Sequence, residues 1–141
     1  HFESKDALLE NLLTVQTARF MEWLDSTAAQ TPVERLCAVM EYISTGDMLL
    51  MRSVMRLGSG AMGAVMESRP EMQANHAHML AAMDAIVTAG QADGSIVPDV
   101  PPRVVISAVW SLSTISLLPD SPPDSNAHTL MLLKRAIMLN P

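Results

Sequence analysis

Residues 68–94 read SRPEMQANHAHMLAAMDAIVTAGQADG, and this stretch decides the fold class. Its apolar and small residues recur every three or four positions, which places them on one face of an α-helix. Ser68 and Glu71 have the spacing of a capping box, which predicts the start of the helix, and Gly94 predicts its end. The residues predicted to face the core are Met72, His76, Met79, Leu80, Met83, Ile86, Val87 and Gly90.

Helix start and stop signals divide the remainder of the chain in the same way. Ser4 is a typical N-cap residue, and Thr31 with Glu34 forms a second capping box. No segment alternates between apolar and polar residues with the period of a β-strand, and no internal repeat is visible. We therefore predict an all-α domain of about six helices, at approximately 4–26, 31–44, 48–57, 68–93, 104–118 and 127–139.

The composition favours self-association. Of the 141 residues, 49% are hydrophobic and only 17% are charged, which is more apolar surface than a small monomer easily buries. The predicted helix at 104–118 has no charged side chain at all and must be covered on every side. We predict a homodimer in which this helix and the last one form a four-helix bundle with their twofold mates. The predicted interface residues are Ser107, Ala108, Ser111, Leu130, Leu133 and Ile137.

The charge of the chain argues against direct binding of nucleic acid by this segment. Its formal net charge of −6 repels phosphate. The single Cys37 excludes an internal disulfide and fits a cytoplasmic protein. The longest stretch without charge, residues 104–119, is shorter than the roughly 18 residues that span a bilayer, so we expect no membrane partner.

Two short motifs resemble the TetR family of bacterial transcriptional regulators. Residues 1–9, HFESKDALL, resemble the end of that family's helix-turn-helix signature and the start of the helix that follows it. Residues 89–94, with the proline-containing segment 96–101, are similar to the glycine-rich link between later helices of the family. The resemblance implies that residues 1–3 are the end of a DNA-binding head and that residues 4–141 form an effector-binding and dimerisation domain.

The same resemblance implies a ligand-responsive regulator, most simply a repressor, that binds operator DNA through a head preceding His1. The first helix would connect that head to the ligand site. His1 and Lys5 fall at positions that touch the DNA backbone in relatives, although Lys5 read by itself is equally a solvated surface charge.

Methionine marks the predicted effector site. The chain has 12 Met against two Phe and one Tyr, and flexible thioethers adapt to varied apolar guests. The alternative is a methionine-rich core. His76 is either a core histidine bonded to a carbonyl or a ligand contact, and Trp110 offers a flat wall. The residues predicted to bind a small hydrophobic effector are Met40, Met51, Met55, Met62, Met79, Met83, His76 and Trp110.

Catalysis, metals and cofactors find no support in the sequence. It contains no nucleophile elbow, phosphate loop, dinucleotide fingerprint or zinc-protease motif. His76 and His78 are two positions apart and face different sides of a helix, so we expect no metal site. We predict a protein that is not an enzyme.

The alternative function is that of a helical protein-interaction adaptor. A stable homodimer with an internal cavity would favour the regulator, and a monomer with an open groove would favour the adaptor.

Overall fold

The computed structural model of the chain describes residues 4–44, 69–113 and 120–139. Within these ranges lie five α-helices and no strand, and the predicted all-α class is confirmed. A 3₁₀ turn, Ser111–Ser113, follows the fourth helix, and the helix predicted at 48–57 lies outside the described residues. The helices are α1 (Lys5–Ser26), α2 (Pro32–Ser44), α3 (Pro70–Asp93), α4 (Pro102–Trp110) and α5 (Ser125–Ile137).

The first two helices begin as their capping signals predict. The Ala7 N–H donates to the Ser4 hydroxyl oxygen at 3.1 Å. At α2 the Glu34 N–H donates to Thr31 Oγ1 at 3.3 Å, and the Thr31 N–H donates to Glu34 Oε2 at 2.9 Å. Both ends of the capping box are therefore satisfied by side chains instead of water, which stabilises the first turn of each helix.

The third helix starts one position later than its capping box predicts. Its N-cap is Arg69, which makes no side-chain capping bond within the described residues, and Pro70 takes the first helical position. Ser68 lies outside the described residues. The predicted C-terminus is confirmed: Gly94 has a φ of 83°, the left-handed conformation that a glycine adopts without a Cβ penalty.

The link from α3 to α4 is pinned by the end of the chain, which the sequence did not predict. Ile96 forms an isolated antiparallel bridge with Met138. The Val97 N–H donates to the Ile137 carbonyl at 3.0 Å, and the Leu139 N–H donates to the Ser95 carbonyl at 2.9 Å. These bonds fasten the end of α5 to the link.

That bridge explains where the last helix ends. The sequence predicts a helix at 127–139, whereas α5 runs from Ser125 to Ile137 because Met138 and Leu139 turn away to pair with the link.

The helix predicted at 104–118 begins two residues earlier, at Pro102, which suits the first helical position since proline has no N–H to leave unsatisfied. Its α-helical part ends at Trp110, and residues 114–118 lie outside the described part of the chain.

The core lies where α2 and α3 pack together and α1, α4 and α5 close around them. No helix of the described residues is long and apolar enough to cross a membrane. The main cluster of buried side chains consists of Phe20, Leu24, Leu36, Val39, Met40, Ile43, Met83, Ile86, Val87, Ile96, Val105, Ile106, Val109, Leu112 and Ile137.

Gly90 is required by the close approach of the α3–α4 link. A Cβ placed on Gly90 would lie 2.2 Å from Ile96 Cδ1 and 2.6 Å from Ile96 Cγ1, and Ile96 is fully buried. We expect Gly90→Ala to destabilise the protein by about 1–2 kcal/mol, since overpacking outweighs the roughly 1 kcal/mol that alanine gains over glycine in a helix. Urea denaturation measures the change.

The matched control for Gly90→Ala is the same substitution made in an Ile96→Ala background. With the Ile96 side chain truncated, the clash is removed and only the helix preference of alanine remains. Gly90→Ala should then be stabilising. A destabilisation of equal size in both backgrounds would contradict the proposed contact.

Candidate functional site

Aromatic rings from three helices meet at one junction of the fold. Phe20 lies 5.9 Å from Trp23, 5.5 Å from Tyr42 and 5.7 Å from Trp110, measured between ring centroids. Trp23 and Tyr42 stack at 4.5 Å with an interplanar angle of 29°. We call these four residues the aromatic cluster. Phe20 is buried, whereas the other three rings are partly exposed, so the cluster joins the core to the surface.

A short turn and one arginine hold α1 and α2 in position around this cluster. The Arg35 guanidinium donates from Nε to Thr27 Oγ1 at 3.1 Å and from Nη2 to the Leu24 carbonyl at 3.3 Å. These bonds satisfy backbone and side-chain acceptors at the C-terminus of α1. The last turns of α1 are therefore fixed against α2, which keeps Phe20 and Trp23 beside Tyr42.

Methionine side chains share the core with the aromatic cluster. Met40 and Met83 are fully buried, and Met79 is half-buried against the same cluster of core residues. In the middle of α1, the Thr14 hydroxyl donates to the Glu10 carbonyl at 2.8 Å, and its oxygen lies 3.4 Å from Met72 Sδ. The structure therefore brings Met40, Met79, Met83 and Trp110, four of the predicted effector-binding residues, into one core.

Gln16 adds a polar group to this apolar surrounding. It lies on α1 one helical turn before Phe20, and only 8% of its surface is exposed. Its Oε1 is buried and has no hydrogen-bond partner among the described residues. Buried polar atoms are nearly always paired, so an unpaired acceptor at this position requires an explanation.

His76 does not lie in the core, and the prediction that it interrupts the buried stripe as a core histidine is wrong. His76 and His78 are both exposed on α3. The buried stripe continues without it through Met72, half-buried Met79 and Met83. An exposed imidazole keeps its hydration, which explains why the helix accepts it there.

Several predicted site residues cannot be placed. Met51, Met55, Met62 and His1 lie outside the described residues. Lys5 is the first residue of α1, but its side chain is also outside the described part. Their predicted roles in effector and DNA binding stay predictions.

The predicted dimer residues differ in exposure between the two helices: those of α4 lie largely on its exposed side, and those of α5 face the core. On α4 and at its C-cap, Ser107 and Ser111 are exposed and Ala108 is half-buried, and Val104 beside them is 54% exposed. Together these four form the open face of α4. On α5, the inward side is formed by Leu130 and Leu133, half-buried against the core, and by buried Ile137.

The assignment of Ile137 to the dimer interface therefore needs correction, because this side chain fills the core of its own chain. An apolar stripe on a helix must first cover its own core, and α5 has only one such stripe. The outward side of α5 instead carries Met131, 41% exposed, and Leu132, 61% exposed. We call these two residues the open face of α5.

One ion pair connects α5 to α2. Lys134 Nζ donates to Glu41 Oε1 at 2.8 Å, and Cys37 lies beside them. The hydrogen bond to the Glu41 carboxylate raises the pKa of Lys134 above its ordinary value of 10.5, and Cys37 adds to the effect. Both side chains retain exposure, 29% for Lys134 and 57% for Glu41, so solvent screens much of the attraction.

This pair predicts a small, pH-dependent contribution to stability. Because the folded pKa of Lys134 is raised, the contribution is complete below pH 10.5 and is lost as the pH rises above that value. We expect Lys134→Met to destabilise the protein by less than about 1 kcal/mol at pH 7. The difference from wild type should vanish at the alkaline end of a thermal denaturation series. Arg103→Met, at an exposed pair with 4.0 Å separation from Asp84, is the control and should change little at either pH.

Metal ligation is not indicated in the described ranges, where no group of three or more His, Cys, Asp or Glu side chains converges.

Comparison with known proteins returns no matching family model, no matching curated protein and no matching solved structure.

The sequence pointed to Trp110 and the methionines, but it missed Tyr42 and Gln16 as site residues. A local signal for Tyr42 was absent: it lies in the last turn of α2, away from the turn that joins α1 to α2, and only the way the helices cross brings its ring to Trp23. Gln16 gave no such signal, because glutamine at a core-facing helix position is usually assumed to reach solvent.

Proposed function

We propose that the chain is the effector-binding and dimerisation part of a TetR-type transcriptional regulator. The effector in this proposal is a small apolar molecule that binds at the junction of α1, α2, α3 and α4. The observation that carries the proposal is the position of α1. This one helix starts at the motif that resembles the family signature, at its Ser4 cap, and its last turns carry Phe20 and Trp23 of the aromatic cluster.

The physical link between ligand and DNA in this proposal is the rigidity of α1. The helix has 22 residues and is therefore roughly 33 Å long. A ligand that separates the aromatic cluster tilts the helix, and a few degrees of tilt move its far end by an ångström or two. Two heads on half-sites one DNA turn apart tolerate little change in spacing.

The ligand site is tested with N-phenyl-1-naphthylamine, a neutral apolar probe that fluoresces when it leaves water. We expect the probe to bind and to raise the melting temperature, because a ligand that binds only the folded state stabilises it, by about 2.7 kcal/mol at one hundred times its Kd. Trp110→Ala should weaken binding of the probe. Met83→Glu is unsuitable as a test because Met83 is fully buried and a charge there would unfold the chain.

A matched control separates the site from the general apolar surface. Met131→Ala removes an exposed apolar side chain from α5, and it should leave the affinity for the probe unchanged. Equal affinity of wild type and Trp110→Ala would contradict the proposed position of the site.

The coupling is tested on a protein that includes the DNA-binding head. Effector and operator should oppose each other with a coupling free energy of about 1–3 kcal/mol, and by thermodynamic reciprocity each weakens the other by the same factor. Trp23→Ala should reduce this coupling more than it reduces either affinity. The measurement is a titration of effector with and without operator DNA, and equal affinities would show that the two sites are independent.

A further inference from the structure

Among the described residues, Gln16 is the buried polar side chain whose acceptor oxygen has no hydrogen-bond partner. It lies on the same buried side of α1 as Phe20 of the aromatic cluster. The buried side of α1 is formed by Leu13, Gln16, Phe20 and Leu24, and its C-cap, Thr27, is buried as well. Thr27 is satisfied, since its hydroxyl donates to the Leu24 carbonyl at 2.6 Å and accepts from Arg35. Gln16 Oε1 has no such partner in the described part of the chain.

An apolar side chain at this position would fill the same space without the cost of a dehydrated carbonyl oxygen. Leucine and methionine both have suitable size, and both are already used on neighbouring buried positions such as Leu13 and Met72. A glutamine whose oxygen stays unpaired is therefore unfavourable for folding alone. It is favourable when a molecule bound beside it supplies a donor.

The surroundings of Gln16 define what kind of molecule that is. Phe20, one turn further along α1, connects it to the rings of Trp23, Tyr42 and Trp110. Met72, which the Thr14 hydroxyl contacts, is buried on the facing helix α3. Rings and thioethers bind flat apolar groups, and a carbonyl oxygen accepts a hydrogen bond from an N–H or O–H group.

We propose that Gln16 Oε1 is the specificity-determining acceptor of the effector site, and that the effector is a planar aromatic molecule carrying one hydroxyl or N–H donor. This inference rests on the proposed function, since it assumes that the junction binds a small molecule. A site with a buried hydrogen-bonding group discriminates strongly against analogues that lack the complementary group, because the group is then left unpaired.

Three probes of similar shape test the proposal: 2-naphthol, which has a donor, 2-methoxynaphthalene, whose oxygen only accepts, and naphthalene, which does neither. We expect wild type to bind 2-naphthol about tenfold more tightly than either of the others, a difference of about 1.4 kcal/mol. Gln16→Leu should abolish this preference and leave the affinity for naphthalene unchanged. Calorimetry or quenching of the tryptophan fluorescence gives the dissociation constants.

The unliganded variants provide a second readout. Gln16→Leu removes an unpaired buried acceptor, so the melting temperature of this variant without probe should equal or exceed that of wild type. If Gln16 had only a structural role, the substitution would lower the melting temperature. Gln16→Met serves the same purpose if leucine does not fit. Gln30→Leu, at an exposed glutamine in the turn after α1, is the control and should retain the preference for 2-naphthol.

The outcomes separate this inference from the proposed function. If all three probes bind wild type equally, and Gln16→Leu binds them the same way, the junction is a ligand site but Gln16 does not select the ligand. A Gln16-dependent preference for 2-methoxynaphthalene would overturn the inference too, because the ligand would then be an acceptor. If none of the probes binds wild type, the proposed apolar effector site is itself wrong.

Discussion

Replacing Phe20 by alanine is expected to lower the free energy of unfolding by about 3–5 kcal/mol. Phe20 is 4% exposed and its ring contacts the rings of Trp23, Tyr42 and Trp110. Removing it leaves a cavity in the core, and each lost ring pair adds about 0.5–1.5 kcal/mol beyond the lost buried area. The measurement is the midpoint of urea denaturation at constant m-value.

Val15→Ala is the matched control for this prediction. Val15 lies on the same helix but is 40% exposed, so its truncation should change stability by no more than about 0.5 kcal/mol. A loss below about 1 kcal/mol for Phe20→Ala would mean that the aromatic cluster rearranges to fill the space. The loss of stability for Phe20→Leu, which preserves most of the side-chain volume, should lie between the losses for Val15→Ala and Phe20→Ala.

The helices that the sequence predicted best are those whose ends carry local signals. Ser4 and the pair Thr31 and Glu34 cap α1 and α2 as expected, because a capping bond joins residues only three positions apart. The stripe of α3 was predicted with one error, His76, since the periodicity of a helix does not specify how deep its flanking positions lie. Gly94 ends α3 because it adopts the left-handed backbone conformation, and a glycine at the end of a helix pattern is also visible in the sequence.

The features that the sequence did not predict depend on contacts between distant parts of the chain. The pairing of Ile96 with Met138 shortens α5, and no pattern near either residue indicates it. The aromatic cluster likewise joins Phe20, Tyr42 and Trp110 from three helices. Periodicity states which side of a helix is buried, but the rotation of one helix against the next decides which side chains meet.

The same limitation explains the error on α5. Its apolar residues were assigned to a partner subunit, although the chain's own core takes Ile137 and part of Leu130 and Leu133. What stays exposed is the open face of α5, Met131 and Leu132, on a helix that contacts α4. The proposed dimer is therefore better tested at these outward residues than at those chosen from the sequence.

Leu132→Asp is expected to weaken the proposed homodimer at least about a hundredfold, which corresponds to roughly 3 kcal/mol. Leu132 is 61% exposed in the single chain, so a carboxylate is well hydrated in the monomer and the fold should be preserved. In a twofold dimer through α4 and α5, the substitution places a charge on each side of the interface, where burial without a partner is unfavourable. Sedimentation of wild type and variant across micromolar concentrations gives the dissociation constants, and far-UV circular dichroism verifies the helices.

Leu8→Asp is the control for this experiment, because Leu8 is also an exposed leucine, 38% accessible, but lies on α1 outside the open faces of α4 and α5. It should leave the dimer intact, whereas Val104→Asp on the open face of α4 should weaken it as Leu132→Asp does. A wild type that is already monomeric at micromolar concentration would rule out the proposed dimer and favour an interaction adaptor. A dimer that tolerates a charge at both Val104 and Leu132 would place the interface on another surface of the chain.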